Sequence, residues 1–187
     1  MIFEQLGVAG AFLVKPEPRT DDRGHFARLW CRQEWARHGL SDHIEQINTG
    51  FSPRAGTLRG MHYQLPPHEE VKIARCTRGA AFDVVVDLRS GSPTYGRWAG
   101  ARLTPESGAM LYVPAGCAHG YLTLEDDTEL VYTTSAAYAP GAARGLRHDD
   151  PRFAIAWPAA VRVISDADRT WPDHRDADAV VLPGAPR

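Results

Sequence analysis

Cysteine, lysine and long apolar runs are all scarce in this chain, and each shortage closes off a class of protein. Cys31, Cys76 and Cys117 are odd in number, widely spaced and without a CxxC pair, so neither a disulfide framework nor a zinc clasp is expected. Three free thiols suit a reducing, cytoplasmic setting. Nowhere do about 18 apolar residues follow one another, the length a membrane-spanning helix needs, and the opening Met1-Ile2-Phe3-Glu4-Gln5 has no basic flank. Neither a membrane partner nor export is expected. Excess positive charge is also missing. The formal net charge is −2 over 187 residues, and no basic stripe offers the phosphate-neutralising surface that nucleic acids require. Of the 21 basic residues 19 are Arg, which leaves Lys15 and Lys72 as the lysines.

What is present fits one compact domain spanning 1–187, with its core over about 21–172 and a C-terminal extension at 173–187; a chain of this length and 43% hydrophobic content can bury most of its apolar surface around a single core. Short β-branched and aromatic runs alternate with Gly, Pro, Asp and Ser turns, which reads as all-β. Phe82, Val84, Val86 and Leu88 alternate with Ala81, Asp83, Val85 and Asp87, so that strand has one wholly apolar face and one carrying two carboxylates. Further strands are expected at Gly56 to Gln64, Val71 to Thr77, Trp98 to Leu103, Met110 to Val113, Gly120 to Leu124 and Glu129 to Thr134. About eight antiparallel strands point to a jelly roll or similar barrel. Helix is expected only from Arg32 to His38, closed by Gly39, and as a turn near Ser165 to Arg169. The tail from Asp173 has too little apolar content for a core of its own and reads as a loosely held extension.

Chemistry concentrates in Leu58-Arg59-Gly60-Met61-His62-Tyr63-Gln64 and the Glu70-Val71-Lys72 that follows. Strict alternation puts Arg59 and His62 on opposite faces, but Gly60 is a natural bulge position that resets the parity. A lone strand histidine is most often structural, and a lone lysine most often snorkels at an edge. Here a mid-strand Lys72 in an arginine-rich chain suggests that a compact point charge is wanted, suited to negative charge developing on a substrate oxygen. Gly-flanked His119 reads as an imidazole at a barrel mouth between two strands. Tyr132 is ordinarily a packed core tyrosine, yet pointed into a wet cavity it can donate a proton.

In these residues the sequence resembles the dTDP-4-dehydrorhamnose 3,5-epimerase family, over about Asp21 to Pro172. The resemblance is carried by Asp22-Arg23-Gly24-His25-Phe26, Gln46-Ile47-Asn48, the stretch from Gly56 to Gln64, Phe82 to Asp87, Ser92-Pro93-Thr94-Tyr95-Gly96, Ala118-His119-Gly120, Asp149-Asp150-Pro151, and Ile164-Ser165 with Asp168. It implies a cupin-type jelly-roll barrel and an epimerase of a nucleotide-linked 4-keto-6-deoxyhexose, inverting C3, C5 or both through an enolate without metal or cofactor. It implies His62 as the base, Asp168 as the carboxylate that orients it, Lys72 as the partner of the enolate oxygen and Tyr132 as the proton donor on the opposite face of the ring. Arg23, Phe26, Gln46, Asn48, Arg59, His119 and Tyr138 match positions that hold the nucleotide, its diphosphate and the sugar. The segment with Arg23 and Phe26 crosses to a partner subunit in the family, so a homodimer with an exchanged N-terminal segment is expected.

The chain departs from the pattern at three places. Arg28 and Ala143 stand where many members have Glu, and Ala167 replaces a basic residue. A carboxylate accepts a hydrogen bond from thymine N3–H while an arginine only donates, so Arg28 makes base recognition differ, toward cytosine or toward another way of reading thymine. Two rival readings remain. One is a metal-dependent cupin isomerase or dioxygenase using His62, Glu69 or Glu70, and His119. The other is a cupin that binds sugar nucleotides without catalysis, against which His62, Lys72 and Tyr132 together weigh.

Overall fold

A computed structural model describes residues 1–183. Along the chain run β1 (Ile2–Gln5), β2 (Phe12–Lys15), β3 (Arg19–Asp21), β4 (Gly24–Phe26), α1 (Arg32–Arg37), β5 (Gln46–Ser52), β6 (Leu58–Gln64), β7 (Lys72–Arg78) and β8 (Ala81–Asp87). These are followed by β9 (Trp98–Leu103), β10 (Met110–Val113), β11 (Cys117–Thr123), β12 (Thr128–Thr134), β13 (Ala143–Gly145) and α2 (Asp166–Arg169). The strands form a six-stranded sheet in the order β1-β2-β10-β7-β12-β5, a five-stranded sheet in the order β13-β6-β11-β8-β9, and a separate β3-β4 ribbon. One apolar cluster draws Cys76, Leu111 and Leu130 from the first sheet and Val85, Leu103 and Tyr121 from the second, so the sheets pack face to face as a jelly-roll barrel.

The seven strands expected from Gly56 onward are present with ends moved by a few residues, and β1 to β5 and β13 are additional. Those six escaped notice because β1 to β4 and β13 are only three or four residues long, too short for a period-2 pattern, while β5 alternates half-buried Gln46, Asn48 and Gly50 with exposed Ile47, Thr49 and Phe51, a mixed pattern on both faces. Helix α1 buries Trp35 against Ile73, Met110 and Tyr112 on the outside of the six-stranded sheet. Gly39 ends it with φ +69, a left-handed conformation that costs glycine little. The expected turn near Ser165 is α2, capped by the Ser165 side chain accepting from the Asp168 N–H.

One expectation needs correction. The tail is not loosely held up to Val180: that residue is buried, donates its N–H to Leu88 O at 2.7 Å and accepts from Ser90 N at 2.8 Å. The tail needs no core of its own because it adds Val180 and Leu182 to the cluster of Val84, Val86, Leu88 and Phe153 that covers the outer face of β8; residues 184–187 of the extension lie outside those described. The carboxylate-bearing face of β8 turns inward, and Asp83 and Asp87 are both fully buried. No helix among the described residues is long and apolar enough to cross a membrane.

Candidate active site

A cavity of about 600 Å³ opens between the two sheets, lined by Arg59, His62 and His119 from one and Lys72 and Tyr132 from the other, with Asp168 from α2. A second hollow of about 520 Å³ shares His62, Lys72, Tyr132 and Asp168 and adds Gln46, Asn48 and Tyr138. Register explains the second set. Tyr132 lies opposite Asn48 on β5 and Ala74 on β7, and Thr134 lies opposite Gln46 and Lys72. With side chains alternating at a period of two, these rows share one face, and that face lines the cavity.

On β6 the parity is broken as the glycine suggests. His62 pairs with His119 but Arg59 pairs with Tyr121, so three residues of β6 span the distance of two on β11. Gly60 has φ +130 and no room for a side chain: an added Cβ would lie 2.5 Å from the Gly120 Cα. The extra residue brings Arg59 and His62 to the same cavity while Met61 and Tyr63 point to the outer cluster. Arg59 is anchored there by Ser52 Oγ at 3.3 Å and Phe51 O at 3.0 Å.

His62 Nε2 lies 2.7 Å from Asp168 Oδ1, and the other carboxylate oxygen accepts from Gly60 N at 3.2 Å. Burial by itself would raise the Asp168 pKa; hydrogen bonds and charge from His62, with further bonds from Gly60 and Ser165, outweigh it and hold the carboxyl below its ordinary value. An ionised carboxylate only accepts, so Nε2 of the neutral ring carries the proton and Nδ1 keeps the lone pair. The His62 side chain is 49% exposed and that of Asp168 10%: the imidazole faces the cavity and its carboxylate partner is shielded behind it.

Lys72 is not a free cation. Its Nζ lies 2.6 Å from Glu70 Oε1 and 3.3 Å from His62 O, and both the lysine and glutamate side chains are 9% exposed. Tyr132 has its hydroxyl pKa pushed up by burial and then by Glu70, against a smaller opposite effect of Arg59, so it remains a protonated phenol across neutral pH. His119 sits elsewhere than expected. It lies in the middle of β11 and not at a mouth between strands, because pairing with β8 extends the strand back to Cys117. Its Nε2 is 2.7 Å from Asp83 Oδ1.

Gln46, Asn48, Arg59, His119 and Tyr138 reach the two hollows, whereas Arg23, Phe26 and Arg28 do not. The β3-β4 segment carrying them stands away from the barrel. Arg23 is 90% exposed and bound to Asp21, Phe26 is 69% exposed, and Arg28 contacts Glu34 at 3.3 Å beside a different cavity. The donor set of the metal-dependent rival does not converge either: His62 is paired with Asp168, Glu70 with Lys72 and His119 with Asp83. Among the described residues no group of three or more His, Cys, Asp or Glu is placed to hold a metal ion. Sequence reasoning missed Glu70 as the partner of Lys72, and Asp83. Their signals were faint: a two-residue spacing that puts Glu70 and Lys72 on one side, and one of two carboxylates on a single face of β8.

Comparison with known proteins gives the following relatives. The family profile described as dTDP-4-dehydrorhamnose 3,5-epimerase matches residues 5–176. A Sinorhizobium fredii protein of that name is 45% identical over 174 residues, 92% of this chain and 89% of its own length. A Streptomyces niveus protein named dTDP-4-dehydrorhamnose 3-epimerase is 38% identical over 183 residues, 97% of this chain and 84% of its own. The solved structure of the Mycobacterium tuberculosis rmlC epimerase matches with a TM-score of 0.87 at 37% identity, covering 92% of this chain and 88% of that one.

Proposed function

Because the chain belongs to the dTDP-4-dehydrorhamnose 3,5-epimerase family, we infer that it epimerises a dTDP-linked 4-keto-6-deoxyhexose in deoxysugar biosynthesis, with His62 and Tyr132 acting on opposite faces of the sugar. The observation that carries the assignment of roles is their placement: the two side chains come from opposing sheets into one cavity, and an inversion needs a base on one side and an acid on the other.

His62 Nδ1 takes the proton from the carbon beside the C4 ketone, and the electron pair moves to the ketone oxygen as an enolate. Asp168 holds the ring and stabilises the imidazolium that results, as a buried carboxylate 2.7 Å from Nε2 does. Lys72 donates to the enolate oxygen, a type of contact worth about 3 to 4 kcal/mol at the transition state. The Tyr132 hydroxyl then protonates the same carbon from the other side, and solvent restores both residues. Arg59 and His119 hold diphosphate and sugar in the first hollow, where arginine forks onto phosphate oxygens, while Gln46, Asn48 and Tyr138 hold the nucleotide side. Relatives this similar are named both for C3 inversion and for C3 and C5 inversion, and the number of centres inverted is an outcome of the test below.

Arg23, Phe26 and Arg28 enter this reading through a homodimer in which the β3-β4 ribbon lies over the partner's cavity. The ribbon is exposed within one chain. The outside of the six-stranded sheet also leaves Ile47 68% exposed beside an apolar hollow of about 310 Å³ lined by Leu29, Trp30 and Val131, a face suited to a second copy. The three cysteines are free, in keeping with a cytoplasmic enzyme. The experiment is proton exchange: a dTDP-4-keto-6-deoxyhexose incubated with the protein in heavy water acquires deuterium at C3, at C5 or at both. No incorporation would leave a binding protein in place of the enzyme.

A further inference from the structure

We propose that Glu70 is a positioning residue of the reaction, holding the Lys72 ammonium so that one N–H is left for the oxygen on which enolate charge collects. This rests on the epimerase reading and adds to it a residue with no assigned part. An ammonium has three donors. One is directed at Glu70 Oε1, 2.6 Å away, and a second at His62 O, 3.3 Å away; the third is free in the cavity that Lys72 lines beside His62 and Tyr132. Lysine is a flexible stem carrying a point charge, and two fixed acceptors turn it into a directed donor.

Glu70 is itself held. Its Oε2 accepts from Gln64 Nε2 at 3.3 Å, and that amide also donates to His68 O at 2.9 Å and Ala137 O at 3.2 Å. Gln64 Oε1 accepts from Ala139 N at 2.7 Å. The chain of contacts therefore runs from β6 through Gln64 and Glu70 to the ammonium. A carboxylate here also adds to burial in keeping the proton on Tyr132, the group that must deliver it.

Turnover and deuterium incorporation with a dTDP-4-keto-6-deoxyhexose, measured on Glu70→Gln, Glu70→Asp, Lys72→Met and the Glu70→Gln/Lys72→Met double variant, test the inference. Glu70→Gln should melt below the parent, since it leaves the buried ammonium without its counter-charge; assayed below its melting transition it should keep KM within about threefold, while kcat falls about 10²-fold, the size of effect expected when a group is misplaced by about 1 Å. Glu70→Asp should recover part of the loss. In the Lys72→Met background, removing Glu70 should cost nothing further, because its effect passes through the lysine. Parental kcat in Glu70→Gln, or losses that multiply in the double variant, would overturn the assignment. If Glu70→Gln does not fold, Glu70→Asp decides: a lower kcat at unchanged KM supports the inference, and an unchanged kcat defeats it. Absence of exchange in the unmodified protein would instead overturn the epimerase reading, and this inference with it.

Discussion

Gly60 and Gly120 touch back to back where β6 pairs with β11: a Cβ on Gly60 would lie 2.5 Å from the Gly120 Cα, and one on Gly120 would lie 2.9 Å from the Gly60 Cα. The contact sits inside the register shift between the His62–His119 and Arg59–Tyr121 pairs. His62 and Arg59 share a cavity because two residues without side chains let the strands meet there.

Gly60→Ala should therefore cost at least about 2 kcal/mol, since the new methyl meets backbone and the φ of +130 is hostile to any side chain. Urea unfolding checks this. A midpoint equal to that of the parent would mean that the close approach is not essential to the fold.

If His62 is the base and Tyr132 the acid, removing one or the other should give different defects. His62→Ala should lower kcat by about 10²- to 10⁴-fold and still bind dTDP. Tyr132→Phe should keep deuterium exchange at the carbon facing His62 while losing inversion, because abstraction and return from one face preserve configuration. NMR of the recovered sugar separates the two, and substantial inversion by either variant would sink the assignment of roles.

Acid should weaken the fold through Asp87. Burial tends to raise its pKa, but hydrogen bonds from Arg89, Ser92 and Thr94 prevail and lower it. A carboxyl with a depressed folded pKa contributes stability above its unfolded value near about 4, and loses it as pH falls through the folded value. Asp87→Asn should be less stable than the parent at pH 7, with the gap closing toward low pH. Urea midpoints across that range would contradict this if the gap stayed constant.

The ribbon is tested by mixing. If Arg23 serves the partner's cavity, His62→Ala and Arg23→Ala variants, each nearly inactive, should regain part of the activity when unfolded and refolded together, since one of the two sites in a mixed dimer is then intact. No recovery, or a monomer by sedimentation, would remove the exchanged segment from the reading.

Much of this site was legible in the residues alone. His62, Lys72 and Tyr132 stood out as chemical types and Asp168 through the family resemblance, the alternation from Ala81 to Thr134 marked the barrel strands, and Gly60 marked the place where parity would break. These are local properties, set by side-chain period and by which residues tolerate which backbone. Only the folded chain decided that Glu70 pairs with Lys72 and that His119 lies mid-strand against Asp83. It also decided that Val180 docks on β8 while Arg23 and Phe26 stand clear of the cavity. Each of these depends on which residues of separate segments come together, and that is settled by strand register and sheet packing across long stretches of chain.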